Sequence, residues 1–501
     1  MSGIQSYLDK ILASLDGDND SLALVTSEKQ FSYGQLSQAV NRLCLELQRI
    51  ELSAGCVVGV LCNCPIKQTV AYLALLRLMV CQVHINPKDV QAIQKRDASL
   101  LEADLVLQDL PQGQDVHQCT INIGDDFTLS ATGISIERGV KARLQQAETA
   151  LVFWGSGTTE SPNIISVSFA TLAIQVERDL SFIDFSAGER YLLATNLYYF
   201  TPKRRLLAVL SSKLEVHLLD NVGNIASYAR QRKIDHLALT TNQARKLIPD
   251  QSALDKVPGV LLPKLKTLLV SSELVTHSLR RGLLSTVTPN LLIGYGTNEM
   301  GEVSIARASD IERHEGTVGV PLDGIDLRIM RRDRSVCDVD ELGEVVIHYE
   351  GMPSSYLVSS PKAETSFTEF GFFPRDVGSL TKDGNLILHG RSDDAMMFSG
   401  VKLYPYELES ILEAHPNVNQ AAVFPLTVNG TPDVPIACVV LQSQVSERDL
   451  IAHCRQINGW RSPARVISVR ALPKGRSGKV IKRRLAEFAI TFLSGRAGRE
   501  V

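Results

Sequence analysis

Residues 233–301 contain KIDHLALT (233–240), TNQARKLI (241–248), LKTLLVSS (265–272), HSLRRGLLSTV (277–287) and NLLIGYGTNEMG (290–301). The first, third and fifth are short apolar runs rich in strand formers. The second and fourth read as helices. A parallel strand pair needs a crossover to bring the chain back, and a helix is the usual one. Strand–helix–strand order repeated in this way predicts mostly parallel sheets covered by helices on both faces.

The same rhythm extends towards the N-terminus. Ser32 can cap a helix, with Gln35 placed to complete a capping box. Leu36, Val40, Leu43 and Leu47 then mark one helical face. VVGVLC (57–62) reads as an apolar strand, AYLALLRLMV (71–80) as a buried helix and CQVHIN (81–86) as another strand. Towards the C-terminus the pattern changes. GTVGVPLDGIDLRIM (316–330) and LGEVVIHYE (342–350) carry strand formers and turns without a long helix, which predicts a small antiparallel or barrel-like region. After GRSDD (390–394) a compact α+β tail of about a hundred residues follows, long enough for a domain of its own.

Composition bounds the function. The 501 residues are 44% hydrophobic and carry a formal net charge of -3. That is too long for one core, and it gives no electrostatic case for nucleic acid or a membrane surface. No apolar run is long enough to span a bilayer, and the acidic N-terminus does not read as a secretion signal. A soluble cytoplasmic protein is the expectation. The nine cysteines are irregularly spaced. Cys62 and Cys64 are the one close pair, and no second pair completes a zinc pattern.

Four segments carry chemistry. In LVFWGSGTTESPN (151–163) an apolar strand runs into Gly155, Ser156, Gly157, Thr158 and Thr159, whose backbone amides and hydroxyls suit a phosphate cradle. In GYGTNEMG (294–301), Tyr295 offers a ring for a base and Glu299 a hard oxygen for magnesium. In FFPRDVGSLTKDGNLILHGRSDD (372–394), Asp376 can accept from sugar hydroxyls and Arg391 can donate to the same sugar or to a phosphate. In LPKGRSGKVIKRRL (472–485), a Gly/Ser-rich loop presents Lys479 before a basic helix. Taken singly, each has an ordinary alternative: a polar turn, a strand end with a solvated acid, a charged hairpin, a solvated basic face.

In this order and spacing the segments resemble the adenylate-forming superfamily of acyl-CoA synthetases, peptide-synthetase adenylation domains and luciferases. The resemblance covers nearly the whole chain. FSYGQLSQAVNRLCLEL (31–47), GTVGVPLDGIDL (316–327), LGEVVIHYEG (342–351) and GRSDDAMMFSGVKLYPYELE (390–409) add to it. It implies an α/β fold: a large N-terminal region (1–388) of two doubly wound sheets and a small β-barrel, then a mobile α+β lid (389–501) hinged at Asp393. It implies that Ser156, Gly157, Thr158 and Thr159 hold the ATP phosphates. Tyr295, with Gly296 beside it, would pack on adenine, and Glu299 would bind magnesium next to Asn298. Asp376 would hold the ribose hydroxyls, helped by Arg391. Lys479 would reach the substrate carboxylate and α-phosphate, and Gly400 would line the path of the thiol.

The chain departs from the family pattern at several of these places. Glu160 stands where glycine is usual, Asn163 where lysine is usual, Asn298 where threonine is usual, and Pro374-Arg375 where a Thr-Gly pair is usual. A carboxylate beside a triphosphate is repulsive unless a cation lies between. Two readings follow: an active ligase with a re-engineered phosphate site, or a relative that binds AMP or an acyl-adenylate as a binding or regulatory protein. Retention of Lys479 favours the first. Tyr198, Tyr199 and Phe200, in LYYFTPKRRLL (197–207), match the segment that forms part of the acyl pocket. Ser272 lies in LLVSSELV (268–275), which matches a usually glycine-rich segment beside it. No aspartate is present there to hold an α-ammonium, which favours aryl or medium-chain acids over amino acids. The implied acceptor is coenzyme A, with the phosphopantetheine of a separate acyl carrier protein as the alternative.

Overall fold

The protein is described from a computed structural model that covers residues 10, 12–16, 20–100, 103–110, 116–130, 148–155, 163–219, 224–248, 259–359, 365–426, 433–475 and 479–495. Two sheets dominate. The larger has nine strands in the order Val320–Pro321, Gly301–Arg307, Leu291–Thr297, Thr267–Ser271, His236–Thr240, Arg190–Leu193, Glu215–Leu218, Leu22–Val25, Gln30–Ser32. Its six inner strands are mutually parallel, and antiparallel strands finish both edges. The second sheet has six strands: Thr120–Asn122, Leu105–Gln108, Val57–Leu61, Cys81–His84, Thr149–Trp154 and Ile164–Ser168. Only the last of these is antiparallel to its neighbour.

The helices Tyr33–Arg49, Pro65–Arg77, Phe169–Ser181 and Phe200–Ser211 pack against both sheets. Leu36, Leu73, Leu172 and Leu206 from these helices share one core with Val58 and Leu151 of the smaller sheet and Tyr191 and Val216 of the larger. Each fully buried side chain of this kind contributes about 1.5–3 kcal/mol. Ser32 caps the first helix, and Gln35 completes the capping box as the spacing predicts. The segment read as a helix over 71–80 behaves differently at both ends. The helix begins at Pro65, whose fixed φ suits a first turn, and stops at Arg77. Met79 then takes a left-handed φ of 56°, and the Val80 amide donates to Leu75 O (2.9 Å). This is a Schellman-type stop made without glycine. Similarly, TNQARKLI is helical only over Thr241–Arg245, and the helix through 277–287 ends as a π-type turn, Leu283–Val287.

A third sheet, wholly antiparallel, uses Asp326–Met330, Gly343–His348, Phe367–Thr368, Gly371–Phe372, Asp376–Leu380 and Leu386–Arg391. It extends the strand-rich region expected around 315–350 as far as Arg391. Beyond it lie a hairpin, Met396–Phe398 with Val401–Leu403, and a three-stranded sheet, Val418–Leu426, Val434–Leu441 and Arg465–Ser468. The helices Pro405–Glu413, Glu447–Asn458 and Lys482–Leu493 cover this smaller sheet, with their own apolar clusters around Leu408, Val423 and Phe424. The result is a large N-terminal domain of mixed α/β architecture followed by a smaller C-terminal one. Among the described residues no helix is long and apolar enough to cross a membrane.

Candidate functional site

In parallel α/β sheets, ligands meet the chain where strands end at their carboxyl side. Tyr295 occupies such a position, near the end of Leu291–Thr297. Gly296 follows it, and a Cβ there would lie 2.2 Å from Gly301 O of the next strand. Glycine is therefore what lets this hairpin close. The Tyr295 hydroxyl donates to Asp376 Oδ2 (2.7 Å). Asp376 opens the strand Asp376–Leu380 and sits in register opposite Arg391, whose Nη1 is 3.7 Å from Asp376 Oδ1. Arg391 in turn grips Asp393 with two bonds, of 2.9 and 3.0 Å, and donates to Pro374 O (3.1 Å). Four residues singled out in the sequence over a span of nearly a hundred positions thus form one continuous polar chain.

The electrostatics of the chain follow from its burial. Burial pushes the Asp376 carboxyl above its ordinary value, against the pull of Arg391, the Tyr295 hydroxyl and Lys479. Burial also raises Tyr295, and the adjacent Asp376 adds to that. At Asp393 burial is outweighed by the Arg391 pairing, so its carboxyl lies below the usual range. Lys479 is close enough for its charge to act on Asp376 and on Glu273. Glu273 is itself raised by burial, with Lys479 and Lys474 opposing. The Lys479 carbonyl accepts from Gly475 N (2.8 Å), and Lys474 pairs with Val480, so the base of this loop is a narrow ladder.

Glu299 lies in the turn between Leu291–Thr297 and Gly301–Arg307, beside half-buried Asn298. Its Oε1 accepts from the Tyr356 hydroxyl (3.0 Å). Gln175 donates to the Glu299 carbonyl (3.3 Å), and Arg178 to the carbonyls of Met300 (3.0 Å) and Glu302 (3.2 Å). Behind this lies a buried ionic network. Arg204 is paired with Asp179 (2.6 Å) and Glu302 (3.3 Å), and Arg205 with Glu302 (3.1 Å). Two helices, Phe169–Ser181 and Phe200–Ser211, therefore fix the backbone that presents Glu299. None of Tyr356, Gln175, Arg178 or the network was singled out from the sequence.

The phosphate-loop residues Ser156, Gly157, Thr158, Thr159 and Glu160 lie outside the described residues. The base of the loop is described. Gly155 N donates to Asn163 O (2.8 Å), and Trp154 is in register with Ile164. Ile164 exchanges backbone bonds with Leu357 and Val358, which ties the loop base to the segment carrying Tyr356. Two departures from the family pattern keep the backbone shape of glycine without glycine. Ser272 has φ 97° and Arg375 has φ 68°, a region that L-residues with side chains seldom adopt. The charge of Arg375 acts on both Tyr356 and Asp393.

Around the segment matched to the acyl pocket, Tyr198 and Tyr199 are half-buried and meet edge to face (5.1 Å between centroids). Phe200 is buried in the core and stacks on Phe153 (4.5 Å). Ser272 is exposed. Gly400 sits in the two-residue turn of the Met396–Phe398 hairpin with φ 80°, after Ser399 at φ 48°. Nothing lies within 4 Å of where its Cβ would be. In this structure the primed turn calls for glycine. Among the described residues no group of three or more His, Cys, Asp or Glu side chains could hold a metal. Cys62 is buried and Cys64 half-buried, both as free thiols.

A two-part α/β architecture, with a polar chain running between strand ends and Lys479 of the smaller part brought to it, defines the class. The family described as AMP-binding enzyme matches residues 13–357, and its C-terminal domain matches residues 407–479. The chain belongs to the AMP-binding enzyme family. The 2-succinylbenzoate–CoA ligase of Bacillus pumilus (strain SAFR-032) is 22% identical over 469 residues, covering 93% of this chain and 94% of the relative. The amide bond synthetase of Marinactinospora thermotolerans shares the fold with a TM-score of 0.83 at 18% identity, over 97% of this chain and 99% of that one. The o-succinylbenzoate CoA synthetase of Bacillus subtilis, solved with its acyl-adenylate intermediate, gives 0.78 at 20% identity, over 96% and 97%.

Proposed function

We propose that this protein is an acid–thiol ligase that uses ATP to convert a carboxylic acid to an acyl-adenylate and passes the acyl group to a thiol. The observation that carries the reading is the chain Tyr295–Asp376–Arg391–Asp393 with the charge of Lys479 acting on Asp376. In this reading Asp376 accepts from the ribose hydroxyls and Tyr295 packs on the adenine. Lys479 offsets negative charge that develops as the carboxylate attacks phosphorus and pyrophosphate leaves. The domain boundary falls near 388, and Asp393 is the hinge about which the lid turns to withdraw Lys479. Gly400 then borders the thiol path.

A single half-buried carboxylate, Glu299, without a cage of protein ligands, suits magnesium, which is commonly bound by one or two carboxylates plus substrate phosphates. Bound there, the ion would neutralise phosphate charge. Tyr356 orients the carboxylate. Arg375 supplies the cation that Asn163 lacks, which supports an active enzyme over a relative that only binds AMP or an acyl-adenylate. Half-buried Tyr198 and Tyr199 suit an aryl or medium-chain acid. Relatives named 2-succinylbenzoate–CoA ligase favour coenzyme A as acceptor over a carrier-protein phosphopantetheine. The cytoplasm is the proposed compartment.

The test is pyrophosphate release from ATP and magnesium across aryl, short, medium and long acids plus amino acids, with Lys479→Ala as control. Release with one acid class, lost in the control, supports the proposal and identifies the class. Binding of AMP without release for any acid would replace it with the binding-protein reading.

A further inference from the structure

The smaller domain is not simply resting on the larger one. One tie is made by a five-residue helix, Thr241–Arg245, which starts with a complete capping box from Thr240 and Gln243. Arg245 donates through Nη1 to Asn419 O (2.8 Å) and through Nη2 to both oxygens of Glu413 (3.2 and 3.0 Å). Three residues earlier, Asn242 accepts from the Lys474 ammonium. One turn of helix thus reaches two separate segments of the lid.

The receiving carboxylate is unusual in its placement. Glu413 is the last residue of the helix Pro405–Glu413, where the helix dipole disfavours an acid. Its side chain is only 4% exposed. It accepts from Thr276 Oγ1 (2.7 Å) and Ala421 N (3.0 Å) in addition to Arg245. Tyr406, on the same helix, donates to Val275 O (3.1 Å). While the domains are together, Arg245 and Thr276 satisfy this buried acid at the wrong end of its helix. When the domains separate, both charges regain water, so desolvation offsets much of the pairing. Such a contact specifies an orientation without locking it.

We infer that Arg245 and Glu413 are positioning residues, whose pairing holds the lid in the orientation that brings Lys479 to Asp376 and Glu273. The inference rests on the ligase reading and assigns this orientation to acid activation. Arg245 and Glu413 act through Lys479 and touch no reacting atom. Lys474, five residues before Lys479, meets Asn242 on the same helix, so the latch and the loop that carries Lys479 share one support.

The test uses the full chain and the variants Arg245→Met and Arg245→Lys. Two half-reactions are measured: acid-dependent ATP–pyrophosphate exchange, and thiolysis of the synthetic acyl-adenylate by coenzyme A. Exchange should fall roughly tenfold in Arg245→Met, the scale of a lost bond to a charged group. Thiolysis should be unchanged or faster, and Arg245→Lys should recover part of the exchange. Equal loss in both half-reactions, or no change in either, would overturn the inference. If the wild type supports exchange with no acid, the ligase reading fails by itself. Small-angle X-ray scattering then decides the latch: altered domain separation in Arg245→Met supports it, and a profile matching the wild type overturns it.

Discussion

Tyr356→Phe removes one oxygen and leaves the ring that meets Phe367 edge to face (5.1 Å). The substitution removes the 3.0 Å bond to Glu299 Oε1, along with the bond between this hydroxyl and the Ser366 side chain. Hydrogen bonds to charged groups contribute about 1.5–3 kcal/mol, and for a pair only half-buried the lower end, about 1.5 kcal/mol, applies. If that bond orients Glu299 for magnesium, kcat/KM for ATP falls by about tenfold. Burial and the neighbouring Glu299 hold the Tyr356 hydroxyl above the ordinary phenol range. It is therefore a donor throughout the neutral range, and the loss should be flat with pH there. The assay is pyrophosphate exchange at a series of magnesium concentrations. The variant should need more magnesium for half-maximal rate. An unchanged kcat/KM together with an unchanged magnesium dependence would refute the role given to Tyr356.

Lys479→Ala should abolish adenylation while sparing thiolysis of a supplied acyl-adenylate; equal loss of both half-reactions would remove the lysine from the role proposed for it. Asn163→Lys should improve ATP use, most clearly in an Arg375→Gly background, as read from kcat/KM for ATP. Arg204→Met strands Asp179, whose side chain is only 3% exposed, and leaves Glu302 with Arg205 alone. It should lower stability by about 3–5 kcal/mol, visible as a shift of the urea midpoint.

The parallel sheets were legible because their strands are short apolar runs separated by helices, a pattern written locally in 233–301. The polar chain was legible residue by residue, though the sequence does not say that Tyr295 would meet Asp376, 81 positions away. What escaped is what no local pattern encodes. Lys203, Arg204 and Arg205 are consecutive cations, which in a helix suggest a solvated face. They are buried because their surroundings come from elsewhere: Asp179 is 25 positions from Arg204, and Glu302 is 98. Tyr356 is invisible for the same reason, since its value lies in Glu299, 57 positions away. The helix over 71–80 was misplaced because Met79 makes a left-handed stop that glycine usually announces.

Arg375 lies between the strand Gly371–Phe372 and the strand Asp376–Leu380 of one antiparallel sheet. The backbone that carries this cation is fixed by the strands on either side before any ligand arrives. Fixing one residue's backbone costs about 1–2 kcal/mol, and at this position folding has met that cost in advance. If Arg375 takes the place of a loop lysine, as proposed, the charge is carried at a strand boundary and trades reach for readiness. Nucleotide binding at this end should show a smaller entropic penalty and a weaker dependence on loop closure than a lysine on the loop would give.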